Sequence, residues 1–244
     1  MMDMENGGIA NRTTRRDFNK EQLLLVCALI VLTSAIFAAS PELDIAFSRL
    51  FFDGQKFPLS QNTSLQKLRS LTELIGAIIL GGCLVLICYR PLREFLRLRV
   101  RDLFVPFIAY GVGTGLIVNS ILKQYIGRAR PRSIEEFGGS DVFTGVWELS
   151  DACHSNCSFT SGEAAGAMAM CSVLILIPKG PARTFAFITM TFLSALLGLN
   201  RIAFGAHFLS DVLLSMLIIT AIILAAKILL RGRDSKNNFQ KVQR

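Results

Sequence analysis

The sequence predicts an all-α fold, a polytopic membrane helix bundle with six transmembrane helices. Composition points there first: 52% of the 244 residues are hydrophobic and only 18% are charged, against roughly 25% charged in an ordinary soluble domain. The mean hydropathy is +0.48. The apolar residues come in long runs, and six such runs leave too little polar surface to cover a soluble core. The same numbers exclude disorder and collagen. Six cysteines spread through a long chain do not make a small disulfide scaffold. The net charge of +8 could suggest nucleic acid, but a nucleic-acid domain needs its basic residues on one soluble face.

A span needs about 20 apolar residues. The uncharged runs are Leu23–Ala39, Leu74–Tyr89, Leu103–Leu122, Ala164–Pro178, Thr184–Leu199 and Val212–Leu230, the last with Lys227 placed to snorkel. The first follows a basic stretch, as a signal peptide would, but it exceeds the roughly 7–15 residues of a cleaved apolar region and reads as a retained span. Together with Lys227 at the end of the sixth run, the segments before the first run, between the second and third, between the fourth and fifth, and after the sixth hold 17 of the 26 basic residues. By the positive-inside rule that side is cytoplasmic, with both termini inside.

The outer loops carry a slight acidic excess, and against it Lys123, Arg128, Arg130, Arg132 and Arg201 stand out as a local cationic site. Three stretches on that face hold the chemistry. Lys123 to Arg132 carries four cations, suited either to phosphate oxygens or to anchoring at headgroups. Ser161-Gly162-Glu163 opens the fourth run, either as amides presented to an anion or as an ordinary N-cap. Arg201, His207 and Asp211 link the last two runs. His207 and Asp211 are spaced to share a helical face, either as a carboxylate-oriented imidazole or as an interfacial histidine beside a capping aspartate.

Taken together, these residues resemble the signature of the type 2 phosphatidic acid phosphatase superfamily, which is Lys-x6-Arg-Pro, Pro-Ser-Gly-His and Ser-Arg-x5-His-x3-Asp. The matching positions are Lys123, Arg130, Pro131, Ser161, Gly162, Arg201, His207 and Asp211, and the resemblance runs from the third span to the sixth. Thr160 stands for the motif proline, Asn200 for the motif serine, and Glu163 for the motif histidine. The resemblance divides the chain into an N-terminal cytoplasmic segment (1–22), a six-span phosphatase domain (23–230) and a basic cytoplasmic tail (231–244).

The resemblance also implies a mechanism. Lys123, Arg130 and Arg201 hold the non-bridging oxygens, with the amides near Ser161 and Gly162 assisting. His207 attacks phosphorus and forms a phosphohistidine, and Asp211 orients it. Glu163, or His154 in its place, protonates the leaving oxygen. No cofactor is expected, and no cluster of cysteine, histidine and carboxylate suggests a metal. The expected partner is a phosphorylated membrane lipid within the bilayer, with no nucleic acid and no obligate protein partner. The chain is most similar to the bacterial lipid A phosphatases of the family. That implies the inner membrane with the site facing the periplasm. Phosphatidylglycerophosphate, phosphatidic acid and undecaprenyl diphosphate remain alternative substrates. A lipid phosphotransferase would share the intermediate. A non-catalytic anion transporter would need polar groups at mid-bilayer, and the runs carry almost none, Asn119 and Ser120 sitting near one end of the third.

Outside the motifs, Cys153 and Cys157 share an outer loop and could pair. Phe47, Leu50, Phe51 and Phe52 read as an amphipathic interfacial helix.

Overall fold

The computed structural model describes the backbone of residues 2–242 and the side chains of residues 18–230. The basic side chains expected at Arg12, Arg15 and Arg16 and along the tail 231–244 lie outside the described residues. Among those described the chain is helical, with a single isolated bridge between Ile134 and Asp141. The helices are α1 (Met2–Ala39), α2 (Glu42–Arg49), α3 (Thr63–Cys88), α4 (Arg90–Phe95) and α5 (Val100–Ile108). After α5 the chain continues as a π-helical stretch (Ala109–Leu122) closed by the short α6 (Lys123–Tyr125). Then follow α7 (Gly162–Met170), tightening into 3-10 turns over Cys171–Leu176, α8 (Pro181–Ala203) and α9 (Leu209–Val242).

Five segments are long and apolar enough to cross a membrane: Phe18–Ala39, Thr63–Cys88, Val100–Tyr125, Pro181–Ala203 and Leu209–Leu230. Gly162–Leu176 is a shorter apolar helix in the place of the fourth predicted run. The six apolar segments therefore occur in the predicted order. The second begins earlier than its apolar run. Asn62 caps α3 by accepting the Leu65 N–H at 3.1 Å, so the helix runs through Lys67, Arg69 and Glu73 before it becomes apolar. Charges end a hydrophobic run but not a helix, because Lys, Arg and Glu are good helix formers.

The short α7 is the centre of the bundle and packs against α3, α8, α9 and the π-helical stretch. Its composition permits this. Ala164, Ala165, Ala167 and Ala169 are all buried, and such small side chains let neighbouring helices approach closely. Val105, Val118, Met168, Ile219 and Ile223 fill the core around it. Outward-facing residues of the long helices are large and apolar, among them Leu24, Val31, Leu32, Ile78, Phe185, Ile188 and Phe192. An exposed apolar belt of this kind suits lipid tails.

The aromatic segment around α2 departs from a helix lying at the interface. Asp44 and Ser48 of α2 are buried, Phe47 packs against Ala164, Ile202 and Val212, and Phe51 and Phe52 pack beside Phe57, Phe137 and Phe208. Leu50 stays exposed. The segment is an anchor inserted into the outer end of the bundle, because its one buried carboxylate finds a cation there.

Candidate active site

Four chain segments converge at one end of the bundle: α6 and the loop after it, the start of α7, the end of α8 and the start of α9. The turn between α8 and α9 carries His207. Gly205 in this turn has φ +59°, and the Phe57 ring fills the space a Cβ would need. Only glycine combines that conformation with that contact. Asp211 closes the turn by accepting the Phe208 N–H at 2.9 Å.

His207 is buried, and its Nδ1 lies 2.7 Å from the Ser158 carbonyl oxygen. A carbonyl only accepts, so Nδ1 donates and carries the proton, which leaves the lone pair on Nε2. Burial holds the imidazole well below its usual 6.5, and the nearby Lys123, Arg201 and Arg130 push the same way. The ring is therefore neutral at pH 7. The sequence implies that Asp211 orients this ring. Here Asp211 Oδ2 is 3.9 Å from Nδ1, beyond a hydrogen bond. Ser158 stands between them: its hydroxyl donates to Asp211 Oδ2 at 2.5 Å while its carbonyl takes the imidazole proton. Asp211 is thus connected to His207 through Ser158, a residue the motif spacing does not single out.

The cations gather in front of this histidine. A Cβ at Gly162 would collide with Asn119 and come within 3.3 Å of Lys123 Nζ, so glycine is what lets Lys123 reach the first turn of α7. Ser161 is the N-cap of α7, its hydroxyl accepting the Ala164 N–H at 3.3 Å. Arg130 donates twice to the Asn156 carbonyl, at 3.1 and 2.6 Å, and Lys123 donates to Asn156 Oδ1 at 3.4 Å. Burial lowers Arg130 to about 10, helped by Arg132 and Arg201, and it remains charged at neutral pH. Asn156 belongs to a tight loop closed by a Cys153–Cys157 disulfide. His154, in the same loop, is exposed. Arg201 is buried at the end of α8 and forms an ion pair with Glu163.

Glu163, expected as a proton donor, is held between two cations. Its Oε1 meets Arg69 of α3 at 2.8 Å, and its Oε2 pairs with Arg201. Each oxygen faces a guanidinium, so a part in proton transfer needs one of these pairs to open. Arg128 departs further from the cationic face expected of it. It is fully buried and spends its donors internally. It donates to Asp44 at 2.9 Å, Asp211 at 2.7 Å, Ser210 at 2.9 Å and the Thr144 carbonyl at 2.8 Å. Its guanidinium also sits 4.2 Å over the Phe208 ring. Arg132 is exposed beside Arg130. Among the described residues no group of histidine, cysteine, aspartate and glutamate could hold a metal ion.

Residues 105–234 match the PAP2 superfamily. The chain belongs to that superfamily. Its relatives include a lipid A 4'-phosphatase of Rhizobium etli, 35% identical over 211 residues that cover 78% of this chain and 81% of that one. A lipid A 4'-phosphatase of Rhizobium leguminosarum is 34% identical, covering 78% and 90%. One from Francisella tularensis subsp. novicida is 33% identical over 46% of this chain and 50% of its own. A transmembrane PAP2-type phosphatidylglycerolphosphate phosphatase from Bacillus subtilis shares the fold. Its TM-score is 0.56 at 20% identity, over 88% of this chain and 96% of that one. This PAP2 chain is a multi-pass membrane phosphatase, a phosphoric ester hydrolase.

Proposed function

We propose that this phosphatase removes a phosphate from lipid A, the 4'-phosphate being first choice because relatives of 33–35% identity carry that name. The observation that carries the chemistry is His207. It is a buried, neutral imidazole with its free nitrogen on the side away from Ser158, under the field of Lys123, Arg201 and Arg130. A phosphoryl group held by those cations places phosphorus within reach of Nε2. The nitrogen attacks, the bond from phosphorus to the sugar oxygen breaks, and the oxygen leaves with a proton. Lys123, Arg130 and Arg201 neutralise the equatorial oxygens, with the Gly162 amide at the start of α7 beside them, so that charge does not build up unopposed. As a phosphohistidine forms, the imidazole becomes cationic. Asp211 supports that charge through Ser158. Water then cleaves the phosphorus–nitrogen bond, releasing inorganic phosphate and the neutral ring.

Glu163 stands at the position of the family's motif histidine; once phosphate has replaced it at Arg201, its carboxylate takes the proton of the monoanionic phosphate ester and passes it to the leaving oxygen. With the guanidinium and ammonium groups balancing the charge, no divalent metal enters this scheme. Phosphate release in EDTA should match release without it, and restoration by one specific ion after loss in EDTA would refute the point.

The substrate's acyl chains stay in the bilayer while its headgroup meets the site, which we place on the periplasmic face with both termini in the cytoplasm. Purified protein offered lipid A should release phosphate with the matching mass loss. His207→Ala and Asp211→Ala should abolish release while the protein still inserts in the membrane. Near-full activity in either variant would overturn the assignment. A reporter fused after residue 244 tests the topology, and exposure of that reporter to the periplasm would contradict it.

A further inference from the structure

Arg69 lies on α3, remote in sequence from every motif residue, yet its Nε reaches Glu163 Oε1 at 2.8 Å. The other oxygen of the same carboxylate pairs with Arg201 Nε. One carboxylate therefore bridges two guanidinium groups brought by α3 and α8. The cleft around it is lined by Arg69, Thr72, Glu163, Leu197, Asn200 and Arg201. Lys123 and Arg130 feel both Glu163 and Arg69 electrostatically. Glu163 is thus the carboxylate among four converging cations.

Guanidinium groups hold a carboxylate and a phosphate by the same planar pairing of N–H donors with oxygens. The carboxylate brings one charge and two oxygens. A phosphate monoester brings up to about two charges and three terminal oxygens. It can also engage Lys123 and Arg130 at once, so it is the stronger ligand for the full set. The single Nε–H of Arg69 is donated to Glu73 at 3.1 Å, which steadies the guanidinium while Glu163 is exchanged.

We propose that Arg69 and Arg201 form an anion subsite of this phosphatase, filled in the resting protein by the Glu163 carboxylate, and that substrate phosphoryl oxygens displace Glu163 and recruit Arg69 as a phosphate-binding residue. The identity of the ligand rests on the phosphatase reading above. Displacement also frees the Glu163 carboxylate to relay the proton of the bound phosphate ester to the leaving oxygen, which couples phosphate binding to leaving-group protonation. The cost is weaker binding of any phosphate, because each must first displace the internal anion.

The test uses the full chain in detergent with inorganic phosphate as the probe. Two readouts are needed: thermal stabilisation by phosphate, which needs no turnover, and inhibition of phosphate release from lipid A. Glu163→Gln keeps the side-chain size and removes the competing charge. It should bind phosphate about two- to fivefold tighter, the scale of one partly exposed ion pair. Arg69→Ala should bind phosphate about fivefold weaker and raise KM for lipid more than it lowers kcat. Arg69→Lys should recover part of that loss. A salt bridge with only a structural role predicts no loss of phosphate affinity in Arg69→Ala, whatever the gain in Glu163→Gln. Unchanged or weaker phosphate binding in that variant would overturn the proposal, as would wild-type behaviour of Arg69→Ala. If Glu163→Gln binds phosphate tighter but the wild-type protein releases phosphate from no lipid, the subsite stands and the reading of the substrate falls.

Discussion

His207 shows how the environment of one side chain sets the working pH. Removal from water and three nearby cations all disfavour the imidazolium, so the folded protein keeps this ring neutral below its ordinary 6.5. A neutral nucleophile is the reactive form. The acid limb of kcat/KM, which reports the free enzyme, should therefore lie below pH 6.5. Arg130→Ala removes one of the opposing charges and should move that limb upward. A wild-type limb at or above 6.5 in a pH series with lipid A would contradict this account. The residues that do this were partly readable. Lys123, Arg130, Arg201, His207 and Asp211 fall at motif spacing, and the structure brings all five to one end of the bundle. Ser158 was not readable, because its part depends on a backbone carbonyl, and every residue has one.

The disulfide loop shows how an element can tune a site without taking part in the chemistry. Asn156 lies inside the Cys153–Cys157 ring and accepts from both Arg130 and Lys123. Opening the ring with Cys153→Ser and Cys157→Ser lets Asn156 move away from both cations. The expected result is a KM raised about two- to tenfold with a smaller change in kcat, the scale of one or two hydrogen bonds. Kinetics of the double variant equal to wild type under oxidising conditions would show that the loop does not position them. The possible pairing of Cys153 and Cys157 was visible in the sequence, but its target was not. The same holds for α3. The end of the apolar run at Leu74 hid the helix that carries Arg69, because hydropathy records where lipid begins and a helix extends past that point into the headgroups.

At the scale of the whole molecule, Arg128 ties three distant pieces together. It joins α2 through Asp44, the loop through Thr144, and α9 through Ser210 and Asp211, with its side chain and both carboxylates withdrawn from water. Burial pushes the Asp44 carboxyl up, and Arg128 opposes that shift. Removing one member of a buried charge network leaves the others uncompensated, at a cost of about 3–5 kcal/mol. Arg128→Met should lower stability by that order, read as thermal unfolding of the detergent-solubilised protein. An unchanged melting temperature would mean that the network is not a structural clamp.

The sequence by itself determined the number and order of the apolar segments, the superfamily and the residues at motif positions. These are local signals: an apolar run or a fixed spacing can be read within a few tens of residues. Only the tertiary structure decided which charge meets which. Arg128, one of four cations within ten residues, turns inward to Asp44 and Asp211, while Arg130 stays at the cationic site. Glu163 faces Arg69 and Arg201, and Asp211 reaches His207 through Ser158. The reason is that an ion pair joins atoms a few ångströms apart in space, and its partners here come from helices up to a hundred residues or so apart in the chain.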